Sequence, residues 1–412
     1  MRTALSKSDN TAAAFCMMNY VGVDRAAAFL LELGVSEEHI SRTPFGVTLG
    51  SSGITPVELT VAYGVLGNGG VYQEPISVLG ISDANGDVVW DGHQHQERRR
   101  VFSDSTAWMI VDMLKTAVSS GTGTSARIKG QTVGGKTGTN SDQKGVFFAG
   151  MTGYYSSALW IGHDNYKALS SKSTGSGAAA PLWQAYMSRL HQGLDNRDIL
   201  EGSASNYGLI RVETCGVSGQ LATDACRRDV NGYGVTTDYW PQESAPTVSC
   251  QMHYSLDVCD QTGMLATAYC PSHSSKGVVI LPIGHPLYEF TNSAYASVLS
   301  DYLGEYAALR LTADGNTNAQ LLQSRACAVH QAGTVTYEQN IVENQLLPDA
   351  QRLLAQAQNQ LNNTPEDQPG YAALSSAISN LSAVMYSNPS SAALASAMAA
   401  LTQAMANAQG SW

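Results

Sequence analysis

Charge is scarce in this chain. Only 14% of its 412 residues are Asp, Glu, Lys or Arg, and the formal net charge is −11. No basic stripe occurs, which argues against nucleic acid as a partner, because phosphate backbones are held by clustered Lys and Arg. No apolar run reaches the ~18 residues that a membrane-spanning helix needs. The first seven residues, Met1 to Lys7, hold no apolar h-region and do not read as a signal peptide. An export signal or membrane anchor is therefore expected only upstream of this sequence. The acidity is uneven: up to Ala204 there are 16 basic and 18 acidic residues, and beyond it 7 and 16. Abundant uncharged polar residues suit a protein working outside the cytoplasm. A chain of this length can bury a sizeable core in two or three domains.

Cysteine is also rare, but it is clustered. Five of the seven fall between Cys215 and Cys270, and four of those form a repeat. RVETCGVSGQLATDAC ends at Cys226 and SLDVCDQTGMLATAYC ends at Cys270, the copies being offset by 44 residues. Two readings compete. The Cys215/Cys226 and Cys259/Cys270 pairs could close disulfide hairpins, as an oxidising compartment would favour. They could instead be zinc ligands, helped by Cys250-Gln251-Met252-His253 and Cys327-Ala328-Val329-His330. Zinc knuckles usually space cysteines two to four residues apart, so C-x10-C is read as disulfide and no metal site is expected. Cys16, beside Phe15 and Met18, reads as core.

Along the chain, Ser8-Asp9-Asn10 is a polar turn that could simply cap the Ala-rich helix after it. Ala14, Phe15, Met18 and Val21 recur at helical spacing there and predict a buried face. Thr55-Pro56-Val57-Glu58 is a capping box that opens a helix ended by Asn68-Gly69-Gly70. Residues 76–91 alternate around Asn85-Gly86, a hairpin signal. Asp104 to Ser119 reads as a helix stopped by Gly121-Thr122-Gly123. Strands are expected at 133–140, 145–151 and 156–162, and a helix from Pro181 to Leu190. The result is an α+β domain with an antiparallel meander. Beyond Ile341, three Ala- and Leu-rich amphipathic stretches punctuated by Pro365, Pro369 and Pro389 predict a three-helix bundle.

The strand around Val133-Gly134-Gly135-Lys136-Thr137-Gly138-Thr139-Asn140 carries the chemistry. Lys136 sets a cation beside whatever the strand faces, Thr137 offers a hydroxyl, and Gly138 lets another backbone approach. Thr139 could present its N–H to a carbonyl, so an extended peptide could pair with this strand and a developing oxyanion be stabilised there. A K-T-G strand, an S-x-N turn and an S-x-x-K motif occur together in serine acyl-transfer enzymes acting on D-Ala-D-Ala peptides and β-lactams.

With Leu49-Gly50, Val146 through Gly150, Trp160 through Asn165 and Ala180 through Trp183 also in order, residues 1–197 resemble the C-terminal part of a class A penicillin-binding protein transpeptidase domain. The resemblance implies that Ser8 relays a proton to the leaving D-alanine nitrogen and that Asn10 hydrogen-bonds substrate backbone. It implies that Lys136 steadies the Ser8 hydroxyl and the substrate carboxylate. Thr137 and Thr139 would bind that carboxylate beside Gly138, with Thr139 N–H as half of an oxyanion hole. The implied partners are peptidoglycan stem peptides and β-lactams, on the cell-wall side of a bacterial membrane, with no cofactor and no metal.

One motif departs from the pattern. The only S-x-x-K is Ser141-Asp142-Gln143-Lys144, expected in a loop where Lys cannot activate Ser. The family's S-x-x-K is therefore expected upstream of Ser8, and this chain is read as a fragment of a D,D-transpeptidase that is inactive alone. Alternatives are an inactive peptidoglycan-binding or scaffolding protein and, less suited to the long extension, a β-lactamase. Residues 205–335 are expected to form a disulfide-bearing β-rich extension, of a kind that follows the transpeptidase domain in some Gram-positive class A proteins, and 341–408 the helical bundle.

Overall fold

The computed structural model describes residues 1–288, 291, 295–308, 325–331, 341–387 and 389–409. They divide into two compact units, Met1–Arg211 with Tyr239–Ala245, and Val212–Asp238 with Pro246–Trp412. The first unit is the expected mixture of helices and antiparallel strands.

Within it, Gly134–Thr139, Gly145–Met151 and Ser156–Gly162 form an antiparallel meander in that spatial order. Lys136 lies opposite Ala149 and Thr139 opposite Val146. The Ala180–Leu190 helix drives Trp183 and Met187, both fully buried, into the core beside Phe148 and Val146. The Trp183 and Phe148 rings lie 4.9 Å apart, the tilted contact that aromatic quadrupoles favour.

The helix Asp104–Ser120 starts on a Ser103 cap and ends at Gly121. A Cβ on Gly121 would lie 2.3 Å from the Ser6 carbonyl oxygen, so only glycine allows this approach. Thr122 N–H then donates to Ser6 O (3.0 Å), and Arg2 pairs with Asp112 (2.7 Å). These contacts fasten the Arg2–Lys7 helix along the longer one and fix where Ser8 emerges.

The capping box at Thr55 forms as the sequence predicts, and it reaches further. Glu58 accepts from Thr55 N–H (2.8 Å), Ser36 N–H (2.8 Å) and His39 Nδ1 (2.8 Å). Burial opposes its ionisation, yet these donors hold its carboxyl down at about 2. A carboxylate depressed in this way stabilises the fold above its ordinary value of 4.5 and loses that contribution as pH falls towards 2. Glu58→Gln is therefore expected to cost about 2 kcal/mol at pH 7. Urea unfolding of both proteins should show the gap narrowing between pH 5 and pH 3.

The apolar face predicted after the Ser8 turn is present but not buried. Phe15 is 58% exposed, Met18 75%, and Val21 is exposed as well; Cys16 is half-buried rather than core. Periodicity shows that a helix has one apolar side, but it cannot show what, if anything, lies against it. Among the described residues no single helix is long and apolar enough to cross a membrane. Asn10–Val21 and Val23–Glu32 pass that measure only together, and they meet at 96°.

In the second unit, His253–Cys259 and His273–Val279 make an antiparallel hairpin in continuous register. The disulfide expectation fails here. All seven cysteines are free, and the six in this unit gather with two histidines instead of pairing. C-x10-C spacing relates cysteines only two by two, whereas the fold brings a third chain segment to each pair. Leu221 bridges Ser249 in parallel, and Leu265 bridges Ala326 likewise, delivering Cys250 and Cys327. The expected extension boundary at 335 lies outside the described residues.

The helices Leu347–Asn362, Tyr371–Met385 and Ser391–Gln409 make the bundle. Ala350, Ala357, Leu361, Leu374, Ile378, Leu381, Leu394 and Leu401 form its core, the i, i+3, i+4, i+7 positions of each helix.

Candidate active site

Ser8 follows the first helix as its left-handed cap, with φ 59°. A left-handed backbone is strained for a residue with a Cβ. Ser8 N–H donates to Leu5 O (3.2 Å) and Asp9 N–H to Ala4 O (2.9 Å), closing the helix. Asp9 then caps the next helix, accepting from Ala12 N–H (3.0 Å). The capping reading of this turn is thus correct for Asp9, and it leaves Ser8 free for another task.

That task is set by Lys136. Its Nζ donates to Ser8 Oγ at 2.8 Å, joining residues 128 apart in sequence, and to Thr137 O at 2.9 Å. The ammonium is half-buried, and burial lowers its pKa below the usual 10.5. Asn10 starts the second helix with its side chain exposed.

The K-T-G strand is an edge strand of the meander. Asn140 N–H donates to Gly145 O (3.1 Å). By the alternation of an antiparallel ladder, the N–H groups of Thr137 and Thr139 then point to the free edge. An extended peptide could pair there, with Thr139 N–H aimed at one of its carbonyls.

Three residues that the sequence reading left out of the site also shape it. Thr137 Oγ1 shares a 2.7 Å hydrogen bond with Thr122 Oγ1. Ser176 Oγ donates to Thr122 O (2.7 Å), and Gly175 N–H to Thr139 Oγ1 (2.9 Å). Because Thr139 Oγ1 accepts there, its own proton remains available to an incoming carboxylate. Gly121-Thr122-Gly123 reads from sequence as a helix stop, and nothing in that pattern marks Thr122 as a partner of Thr137. A cavity of about 300 Å³ is lined by Lys136 through Asn140, with Leu49, Ile54, Leu59, Tyr63, Trp160 and Tyr166 among its walls. The cleft offers one cation, hydroxyls and a free strand edge within an apolar surround, a combination suited to a short peptide ending in a carboxylate.

Ser141-Asp142-Gln143-Lys144 occupies the loop expected for it. Asp142 has φ 60° inside a single short turn, and Lys144 pairs with Asp142 at 3.5 Å.

Residues 1–187 match the model of the penicillin-binding protein transpeptidase domain. Penicillin-binding protein 1A of Clostridium perfringens strain ATCC 13124 is 32% identical over 265 residues, covering 62% of this chain and 31% of that protein. Penicillin-binding protein 1A of Clostridium botulinum strain Langeland is 30% identical over 285 residues, covering 68% and 33%. The chain thus spans about a third of the length of these relatives. The crystal structure of penicillin-binding protein 1A from Haemophilus influenzae shares the fold, with TM-score 0.50 at 22% identity, over 60% of this chain and 41% of that one.

Proposed function

Since residues 1–187 of this chain belong to the penicillin-binding protein transpeptidase domain family, we propose that its cleft is the substrate-holding part of a peptidoglycan D,D-transpeptidase site. The observation that carries this reading is the 2.8 Å contact between Lys136 Nζ and Ser8 Oγ. The stem peptide pairs along the free edge of Gly134–Thr139. Its terminal carboxylate meets the Lys136 ammonium and the hydroxyls of Thr137 and Thr139. Thr139 N–H receives the oxygen of the D-alanyl carbonyl as charge develops on it. Asn10 holds the peptide backbone. In acyl transfer a seryl oxygen bonds to that carbonyl carbon, the amide C–N bond breaks, and Ser8 passes the seryl proton to the departing D-alanine nitrogen. The work is done on the cell-wall side of a bacterial membrane, and β-lactams occupy the same cleft.

The acylated serine is not assigned to any residue of this chain. Ser141 fails the geometry because its lysine partner is turned to Asp142 in a loop. The chain alone is therefore expected to acquire no covalent adduct from fluorescent penicillin, while soluble acyl-D-Ala-D-Ala peptide shifts the backbone amide resonances of Thr137 and Thr139. A stoichiometric penicillin adduct on any serine would refute the assignment of this chain as a non-acylating holder. Absence of amide shifts at millimolar peptide would refute the cleft itself.

A further inference from the structure

The second unit holds two groups of the same four ligands. Cys215, Cys226, Cys250 and His253 converge in one, and Cys259, Cys270, Cys327 and His330 in the other. All eight residues are buried, and within each group the ligand atoms lie within 4.8 Å of one another. We propose that each group binds one zinc ion as a closed Cys3His site that holds this extension together.

Disulfides cannot account for the arrangement. Each group contains three sulfurs, so one bridge would leave a buried thiol and an imidazole facing it without a role. A tetrahedral zinc about 2.3 Å from each sulfur places its sulfurs about 3.8 Å apart, which matches the observed clustering. The histidines face inwards through the same atom. His253 Nδ1 is 3.2 Å from Cys215 Sγ and 3.6 Å from Cys250 Sγ. His330 Nδ1 is 3.2 Å from Cys327 Sγ and 3.5 Å from Cys259 Sγ.

The sulfurs are also surrounded by donors. Backbone N–H groups of Val217 and Ser218 point at Cys215 Sγ (3.4 and 3.3 Å), and that of Thr223 at Cys226 Sγ (3.4 Å). Met252 N–H points at Cys250 Sγ (3.4 Å) and Thr267 N–H at Cys270 Sγ (3.2 Å). A neutral thiol is a poor acceptor, whereas a metal thiolate is a good one. Three thiolates in a buried pocket need a cation to offset them, and a divalent ion with a neutral imidazole supplies it. Behind the first site, the Asp229 side chain is fully buried, its carboxylate accepting from the Asn231 and Tyr233 N–H groups (3.2 and 2.8 Å) and lying 3.8 Å from His253 Nε2, the outward nitrogen that finds no hydrogen bond. A carboxylate behind a ligating histidine is a common second layer at zinc.

Four protein ligands leave no open position, so the sites are structural rather than catalytic. The packing says the same. The core around the second group consists of Cys259, Cys270 and Cys327 with Met264 and Ala266 against them, so sulfur occupies the place of a hydrocarbon core. The hairpin strand His253–Cys259 supplies His253 to one site and Cys259 to the other. Its seven residues set the two ions roughly 20 Å apart at about 3.3 Å per residue.

The full 412-residue chain, prepared in chelator-free reducing buffer, should contain two zinc ions per chain by plasma mass spectrometry. X-ray absorption at the zinc edge should show three sulfurs at about 2.3 Å and one nitrogen near 2.0 Å. His330→Ala should reduce the content to one, and His330→Cys should restore two. A measurement on the unaltered chain does not depend on variants folding: iodoacetamide should modify Cys16 rapidly, and the other six cysteines only after chelator and denaturant are added. Iron in place of zinc would overturn the proposal. So would less than about 0.2 zinc per chain with disulfides mapped among these six cysteines.

Discussion

Lys136→Ala is expected to weaken binding of an acyl-D-Ala-D-Ala peptide by more than tenfold. A charge-assisted hydrogen bond contributes about 1.5–3 kcal/mol, and Lys136 is the cation on the cleft-lining strand. The loss also has a local structural effect. Ser8 sits at φ 59°, and its hydroxyl is held by Lys136 Nζ. Without that contact the Ser8–Asn10 turn should exchange its amides faster. Lys136→Met separates the two contributions of the side chain, because it keeps the apolar stem and removes the charge. It should bind no better than Lys136→Ala; binding at the unaltered level would show that the cleft does not use the cation. The pH dependence has a definite sign. Carboxylate binding needs the protonated amine, so affinity falls as pH rises through a value below 10.5, lowered by the burial of Lys136.

The second large effect is structural. Gly277 stands where a Cβ would lie 1.8 Å from the carbonyl oxygen of Ala225, well inside contact distance and against backbone that cannot rotate away. Gly277 N–H donates to Arg228 O (2.9 Å), and Asp229 bridges Gly277 in parallel. The segment carrying Cys226 and Asp229 is thus laid directly on the hairpin strand. Gly277→Ala should push that segment off, at a cost above about 3 kcal/mol as for other severe overpacking against backbone. Hydrogen exchange over residues 212–238 and 253–279 should report the loss, while the meander around Lys136 stays protected. If the sites are zinc sites, the same variant should retain the ion at Cys259, Cys270, Cys327 and His330 better than the one at Cys226.

How far a residue could be read from sequence depended on how local its determinants are. Thr55-Pro56-Val57-Glu58 formed its capping box because both partners lie within one turn. Asn85-Gly86 turned a hairpin, with Gly86 at φ 92°. The meander and its closing helix followed from alternation and period, and the Leu and Ala positions of the bundle from helical spacing. The resemblance of the motifs, rather than periodicity, joined Ser8 to Lys136. Gly121-Thr122-Gly123 is among the stretches that carry the resemblance, yet a hydroxyl between two glycines carries no signature of what it will face, so its contact with Thr137 was not legible. The apolar stripe of Phe15, Met18 and Val21 was legible, but its exposure was not.

The cysteines separate what is local from what is not most sharply. Residue order alone carries the duplicated C-x10-C of Cys215/Cys226 and Cys259/Cys270, the C-x2-H steps at Cys250 and Cys327, and an exposed strand over Lys136, Thr137, Gly138 and Thr139 whose chemistry suits an extended peptide. The fold adds that this strand lies at a sheet edge, that Cys250 and Cys327 join the repeat pairs into tetrads with His253 and His330, and that Thr122 and Gly175 order the strand's hydroxyls. Spacing along a chain constrains only neighbours within a turn or a hairpin. A four-ligand shell, by contrast, is closed by segments brought together across a fold, at a cost in loop entropy that grows too slowly with separation to be read from the sequence.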